Sequence, residues 1–232
     1  MLLIDGDIIA YRTALSSVAE DIDDLYRIAD SYIWNIEKNA TPFRHSAFEV
    51  FLSGKTNFRD EVAVTHPYKG NREREPPECL DTIREYLCAR YYASVSDGQE
   101  ADDDIAIAAT RMGASAVICT IDKDLDQVPG WHYNFVKQQR YCIGTKEAVL
   151  NFYMQLLTGD NVDNIKGIYG IGPKKALKHL QGLDEVQMYH KCLELYEGDD
   201  ARVLENARLL WLRRYEGQMW VPPVANNGDD DL

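Results

Sequence analysis

The 232-residue chain has five cysteines, Cys79, Cys88, Cys119, Cys142 and Cys192, odd in number and with no CxxC spacing among them. That argues against a disulfide framework and for a reducing, cytoplasmic setting. No uncharged apolar run is long enough to span a membrane, so no membrane partner is expected. The N-terminal MLLIDGDIIAYR has acids inside its apolar run and no basic leader, and does not read as a signal peptide. Basic charge is also short, with 25 Lys and Arg against 38 Asp and Glu, a net charge of −13 that would ordinarily argue against a nucleic-acid partner. No internal repeat is visible, and no Cys-His or Ser-His nucleophile constellation stands out. What remains is globular in character, 45% hydrophobic and 27% charged, and long enough for one large domain, or one domain with a small helical appendage.

The distribution of charge says more than its sum. Glu100, Asp102, Asp103 and Asp104 lie on one side of the apolar run Ala116 to Cys119, and Asp122, Asp124 and Asp126 lie on the other. The run has buried-strand character, so a helix opening at the first cluster and a strand ending at the second bring these acids to one edge of a parallel sheet. That edge, beyond the carboxyl ends of the strands, is where open α/β sheets bind ligands. One or two acids would serve as helix caps, but four in five residues exceed that need. Like charges so close require cations, and hard oxygen donors suit Mg²⁺ or Mn²⁺. Two such ions would add about four positive charges to the acidic site.

The remaining elements support that edge. Leu2 to Ile4 reads as a strand ending in Asp5-Gly6-Asp7 before a helix, which places Asp5 beside the other acids, although Asp-Gly-Asp alone is also an ordinary turn. An amphipathic helix is expected over 21–38, a second strand over 47–52 and a helix from Leu80. A hairpin is expected over 133–143, a helix from Thr145, and three further helices over 173–181, 185–197 and 201–215. Between the second strand and the Leu80 helix lie Tyr68, Lys69, Arg72 and Arg74; Lys69 and Arg72 would share a face and grip one phosphate if a helical turn forms, and a solvated basic turn otherwise. Further on, Asp160 and Asp163 lead into KGIYGIGPKKA, Lys166 to Ala176. Gly170 and Gly172 before Pro173 should leave the helix amides facing solvent, with Lys174 and Lys175 adding charge, an arrangement that suits a phosphate.

Taken in order, LLIDGD, NFRDEV with PYKGNR, QEADDDIA, TIDKDLDQVPG and TGDNVDNIKGIYGIGPKKA resemble the 5'-3' exonuclease and flap endonuclease superfamily, and within it the short bacteriophage 5'-3' exonucleases. The resemblance implies an α/β fold, with a parallel-type central sheet and flanking helices, plus a C-terminal helical region containing a helix-turn-helix. It implies a nuclease domain over 1–144 with a short helical arch at about 70–93, a helical DNA-binding region over 145–225 with the helix-turn-helix at 165–180, and an acidic tail over 226–232. It also implies two-metal hydrolysis of DNA from or near 5' ends. Asp5, Glu100, Asp102 and Asp103 would surround one Mg²⁺ or Mn²⁺; Asp122 and Asp124 would bridge toward a second that Asp160 and Asp163 help to hold. Lys69 and Arg72 would act on the scissile phosphate. Tyr68 would stack on a terminal base, and Gly170, Gly172, Lys174 and Lys175 would hold duplex backbone, with K⁺ at the helix-turn-helix in some members.

Asp7, Asp104 and Asp126 carry no family role. Ser53-Gly54 stands where the family often has an aspartate. The expected partners are duplex 5' ends, flaps and RNA-DNA hybrids. A monomer is expected, in the cytoplasm, or the host's if the chain is phage-encoded. The rival readings are a PIN-type metal-dependent ribonuclease, a non-catalytic DNA-structure-binding protein and a magnesium-dependent phosphatase.

Overall fold

The structure, a computed structural model, describes residues 1–41, 46–72 and 75–224. Arg74 and the 226–232 tail singled out above lie outside the described residues. The chain divides into two compact units: Met1–Phe58, Glu73–Thr145 and Leu212–Gln218 form the first, and Arg59–Arg72, Lys146–Trp211 and Met219–Leu232 the second.

Among the described residues the first unit has six strands: β1 (Leu2–Asp5), β2 (Phe48–Leu52), β3 (Ser94–Val95), β4 (Val117–Cys119), β5 (Gly130–Asn134) and β6 (Gln139–Ile143). They lie in the order β3-β2-β1-β4-β5-β6, parallel except for the antiparallel β5–β6 pair. The hairpin strand β5 begins at Gly130, three residues before the expected Tyr133. Its helices are α1 (Gly6–Ala14), α2 (Ile22–Asn39), α4 (Leu80–Tyr91) and α5 (Ala101–Met112). Strand alternation distributes the core to both faces. Leu2, Ile4, Val50, Leu52 and Cys119 pack with Ile9, Ile33, Ile36, Ile83 and Leu87 of α1, α2 and α4. The intervening Leu3, Phe51 and Ile118 pack with Ile105, Ala108 and Ala109 of α5. The result is a sheet covered on both sides, the condition under which short parallel strands are stable.

Leu80–Tyr91 was expected to fall within an arch at 70–93. In this helix Ile83 and Leu87 are fully buried and join the core that α1 and α2 also form.

The second unit holds α3 (Arg59–Val62), α6 (Thr145–Thr158, its first residue counted with the first unit), a short antiparallel pair β7 (Gly159–Asp160) and β8 (Ile165–Lys166), then α7 (Pro173–Leu180), α8 (Glu185–Leu195) and α9 (Asp200–Leu210). Phe152, Leu156, Ile165, Ala176, Cys192, Val203 and Ala207 make its core. Arg59 is 1% exposed and donates to the carbonyls of Leu209 (2.8 Å) and Trp211 (3.1 Å), which fixes the end of α9. The last helix therefore stops at Leu210, not 215. No helix among the described residues is long and apolar enough to cross a membrane.

One glycine decides how α1 meets the sheet. A Cβ on Gly6 would stand 2.6 Å from Phe51 O and 2.7 Å from Val50 Cγ1. Gly6→Ala is expected to destabilise the protein by about 1–3 kcal/mol, because backbone must shift. Urea denaturation checks this, and an unchanged midpoint would contradict the close approach.

Candidate functional site

The carboxyl ends of β1, β3 and β4 lie along one edge of the sheet, and the acids follow them. Asp5 closes β1, Glu100 caps α5 after β3, and Asp122 follows β4 by three residues. Asp5 is 2% exposed, caps α1 by accepting the Ile8 N–H at 3.1 Å, and accepts the Thr120 hydroxyl at 2.6 Å. Burial pushes its carboxyl up to about 7; the Thr120 and Ile8 hydrogen bonds oppose the shift, and the charges of Asp7 and Asp122 add to it. Asp102 is raised well above the usual carboxylate range, first by burial, then by Asp5, Asp122, Glu100 and Asp124 in turn. Thr120 also accepts the Asp122 N–H at 2.9 Å, and Asp122 accepts the Asp124 N–H at 2.9 Å, so the β4 loop is folded by its own acids.

Asp5, Glu100, Asp102, Asp122 and Asp124 therefore share one electrostatic environment. Oxygen donors of this kind, destabilised as anions by burial and by one another, fit a hard divalent cation. Asp103 is placed differently. It is fully buried and its carboxylate accepts the N–H of Glu100 (3.2 Å) and of Arg213 (3.1 Å), the second a partner 110 residues away that no local pattern announces. Arg213 also donates to Gln99 Oε1 at 2.7 Å and lies 3.7 Å over the Phe58 ring, so the turn before α5 is clamped by residues near the C-terminus. The acids without a family role have structural partners: Asp7 meets Arg84, Asp104 accepts from Gln99, and Asp126 accepts the Tyr141 hydroxyl at 2.9 Å.

A second cluster lies within the second unit. Asp163 accepts the Tyr68 hydroxyl at 2.7 Å and Arg72 Nη2 at 2.9 Å, and lies 3.8 Å from Lys69 Nζ. Of the two readings, a helical turn or a basic turn, the structure has a turn. Lys69 has φ +55°, and a tight turn brings Lys69 and Arg72 to one carboxylate. The Tyr68 hydroxyl is thus committed to Asp163, and Lys69 Nζ lies 5.0 Å from the Tyr68 ring centroid. Asp160 accepts the N–H of Val162 at 2.6 Å and of Asp163 at 3.3 Å, which folds the loop between β7 and β8.

The Gly-rich segment follows. Gly167 has no room for a side chain, since a Cβ would stand 2.3 Å from the Thr158 carbonyl carbon. Lys175 Nζ donates to Gly170 O at 2.8 Å, and Lys174 is exposed. Around the loop is an open hollow of about 540 Å³ lined by Thr158, Asn161 and residues 166–172. The amides at the start of α7 are less free than the spacing suggested: Pro173 has none, and Lys175 and Ala176 both donate to Gly172 O. The structure therefore puts Lys174 and the hollow itself at the exposed surface.

The raised carboxyls set a pH dependence. A folded-state value near 7 for Asp5, against 3.8 for the ordinary carboxyl, means that the folded protein holds this proton more tightly than the unfolded chain. Its contribution to stability is favourable at low pH and is lost as pH rises from about 4 to 7. In EDTA, Asp5→Asn should gain thermal stability relative to the unsubstituted protein across that window. Parallel melting curves with no divergence would contradict the burial of this charge.

Residues 1–154 match the family described as "5'-3' exonuclease, N-terminal resolvase-like domain". The thermostable DNA polymerase I of Thermus caldophilus is 28% identical over 92% of this chain, which spans only 28% of that protein's length. The flap endonuclease Xni of Shewanella piezotolerans is 29% identical over 64% of each chain. Among solved structures, the T5 5'-exonuclease with zinc ions bound superposes with a TM-score of 0.70 at 21% identity, covering 90% of this chain and 88% of that one. The mainly parallel sheet with its acidic carboxyl edge has the fold of that nuclease, and the chain belongs to the 5'-3' exonuclease family.

Proposed function

We propose that this protein hydrolyses DNA phosphodiester bonds from or near 5' ends, as a 5'-3' exonuclease and 5' flap endonuclease dependent on Mg²⁺ or Mn²⁺. The observation that carries the reading is the convergence of Asp5, Glu100, Asp102, Asp122 and Asp124 on one sheet edge, with Asp5 and Asp102 held as high-lying carboxyls. Those five are the proposed ligands in the first unit. Asp103, Asp160 and Asp163 are proposed as further ligands on the strength of motif order, Asp103 while it also holds the turn through the Glu100 and Arg213 amides. When bound, two divalent ions would polarise the phosphate, supply a water of lowered pKa and neutralise the leaving oxygen.

The chain's own groups do the rest. Thr120 orients the Asp5 carboxylate, and the Asp122–Asp124 loop fixes the next two acids. Lys69 and Arg72, carried on one turn, supply cationic donors for charge that develops on the phosphate. Both rest on Asp163, so phosphate competes with a carboxylate already in place. Tyr68 offers a ring to a terminal base. Gly170, Gly172, Lys174 and Lys175 are proposed to hold duplex backbone, with K⁺ at the loop carbonyls. Double-stranded 5' ends, flaps and RNA-DNA hybrids are the proposed partners, met by a cytoplasmic monomer.

The test is a time course on 5'-labelled linear duplex and on a 5' flap, each with Mg²⁺ and with EDTA. Metal-dependent release of short products from the 5' end is expected. Asp122→Ala should lower turnover by about 100-fold or more with an unchanged circular dichroism spectrum. Lys69→Ala and Arg72→Ala should each lower kcat by about 100-fold. Unchanged turnover in Asp122→Ala would sink the assignment.

A further inference from the structure

Ser53 follows the last residue of β2 at the carboxyl edge, and every polar group it carries is used. Its N–H donates to Asp7 Oδ2 at 2.9 Å, its hydroxyl oxygen accepts the Ala101 N–H at 3.0 Å, and its carbonyl accepts from Arg84 Nη2. The other arm of the Arg84 guanidinium pairs with Asp7 Oδ1. Four elements meet there: β2 through Ser53, α1 through Asp7, α4 through Arg84 and α5 through Ala101. Two of them carry acids of the metal centre. Asp7 lies two residues after Asp5 on the first turn of α1, and Ala101 stands between Glu100 and Asp102.

We propose that Ser53, Asp7 and Arg84 form a positioning unit that sets the distance of Asp5 from Glu100 and Asp102, so that the metal centre is held without an acid at the end of β2. The inference rests on the metal-centre reading given above. The close backbone approaches around Ser53 leave little other slack. Gly6 stands against Phe51 O, and a Cβ on Gly54 would come within 2.0 Å of Ser96 O, so the end of β2 is clamped to α1 on one side and to the strand β3 loop on the other. The start of α5 is tied to this clamp by the Ala101 N–H, which reaches across 48 residues of sequence to Ser53. Loosening it frees Glu100 and Asp102 to separate from Asp5, the direction in which their mutual repulsion already pushes.

Arg84 has two tasks that a lysine cannot combine. Its fork reaches a carboxylate and a carbonyl at once, and its charge offsets Asp7, whose own charge lies close enough to act on Asp5. A general ion pair stabilising the fold would hold α4 in place without changing how tightly a cation is bound. A positioning unit changes the affinity itself, because ligands must be pre-set to bind well.

The experiment is a Mn²⁺ titration of the full chain without DNA, following free Mn²⁺ by electron paramagnetic resonance, for the unsubstituted protein, Ser53→Ala, Arg84→Lys and Asp122→Ala. Ser53→Ala removes one oxygen, and Arg84→Lys keeps the charge but not the fork, so both are expected to fold. Each should weaken the tighter Mn²⁺ site by about 10-fold. In cleavage assays, activity should return as Mg²⁺ is raised, with kcat near that of the unsubstituted protein. Mn²⁺ affinity within twofold of the unsubstituted protein in either variant, while Asp122→Ala loses affinity, overturns the positioning unit alone. Unchanged affinity in Asp122→Ala as well overturns the metal-centre reading beneath it.

Discussion

Repulsion among buried carboxylates is the constraint from which the first unit follows. Asp5 and Asp102 are lifted by burial and by their acidic neighbours, so the anionic site opposes its own assembly. Something must hold the acids together before any cation arrives. The parallel sheet does this through strands whose residues are buried in alternation on both faces, with Leu2 and Ile4 locked into one layer and Leu3 into the other. A strand end so fixed has little freedom to retreat from its neighbours, and the covering helices deliver their first turns to the same edge.

Local hydrogen bonds then take up the lone pairs that repulsion leaves exposed. Thr120 serves both Asp5 and the amide of Asp122, and Asp122 in turn serves Asp124. The Thr120 and Ile8 bonds favour the ionised form of Asp5, yet burial outweighs them. The balance leaves a carboxyl whose charge a cation restores, which is how a site can be both poorly stable alone and strongly attractive to a metal.

The second unit handles the same difficulty by pairing. Asp163 is paired with Arg72 and Lys69 and accepts the Tyr68 hydroxyl, all from one short turn. That turn depends on a lysine at φ +55° and on the Lys69 N–H donating to Asp163 O at 3.0 Å. The two cations are thereby ordered against an acid and held on one turn.

Much of the fold was legible because its signals are local. The short apolar strands, the 3.6-residue stripe of α2 and the strand–acid–helix junctions at Asp5 and Asp122 are all read within a dozen residues, and they bring both acidic clusters to one edge. Asp103 escaped that reading because its spacing matches its neighbours, whereas its partner Arg213 lies 110 residues away. The same holds for Arg84 with Asp7 and for Ser53 with Ala101, separated by 77 and 48 residues. What the apolar stripe of α4 meets is likewise tertiary, since folding packs Ile83 and Leu87 with α1 and α2. Sequence by itself determined which residue types gather at the carboxyl edge, because period and turn chemistry act over short range. Tertiary structure alone decided that Asp103 is held by the Arg213 amide and that Asp7 is paired with Arg84, because those partners are brought together only by folding.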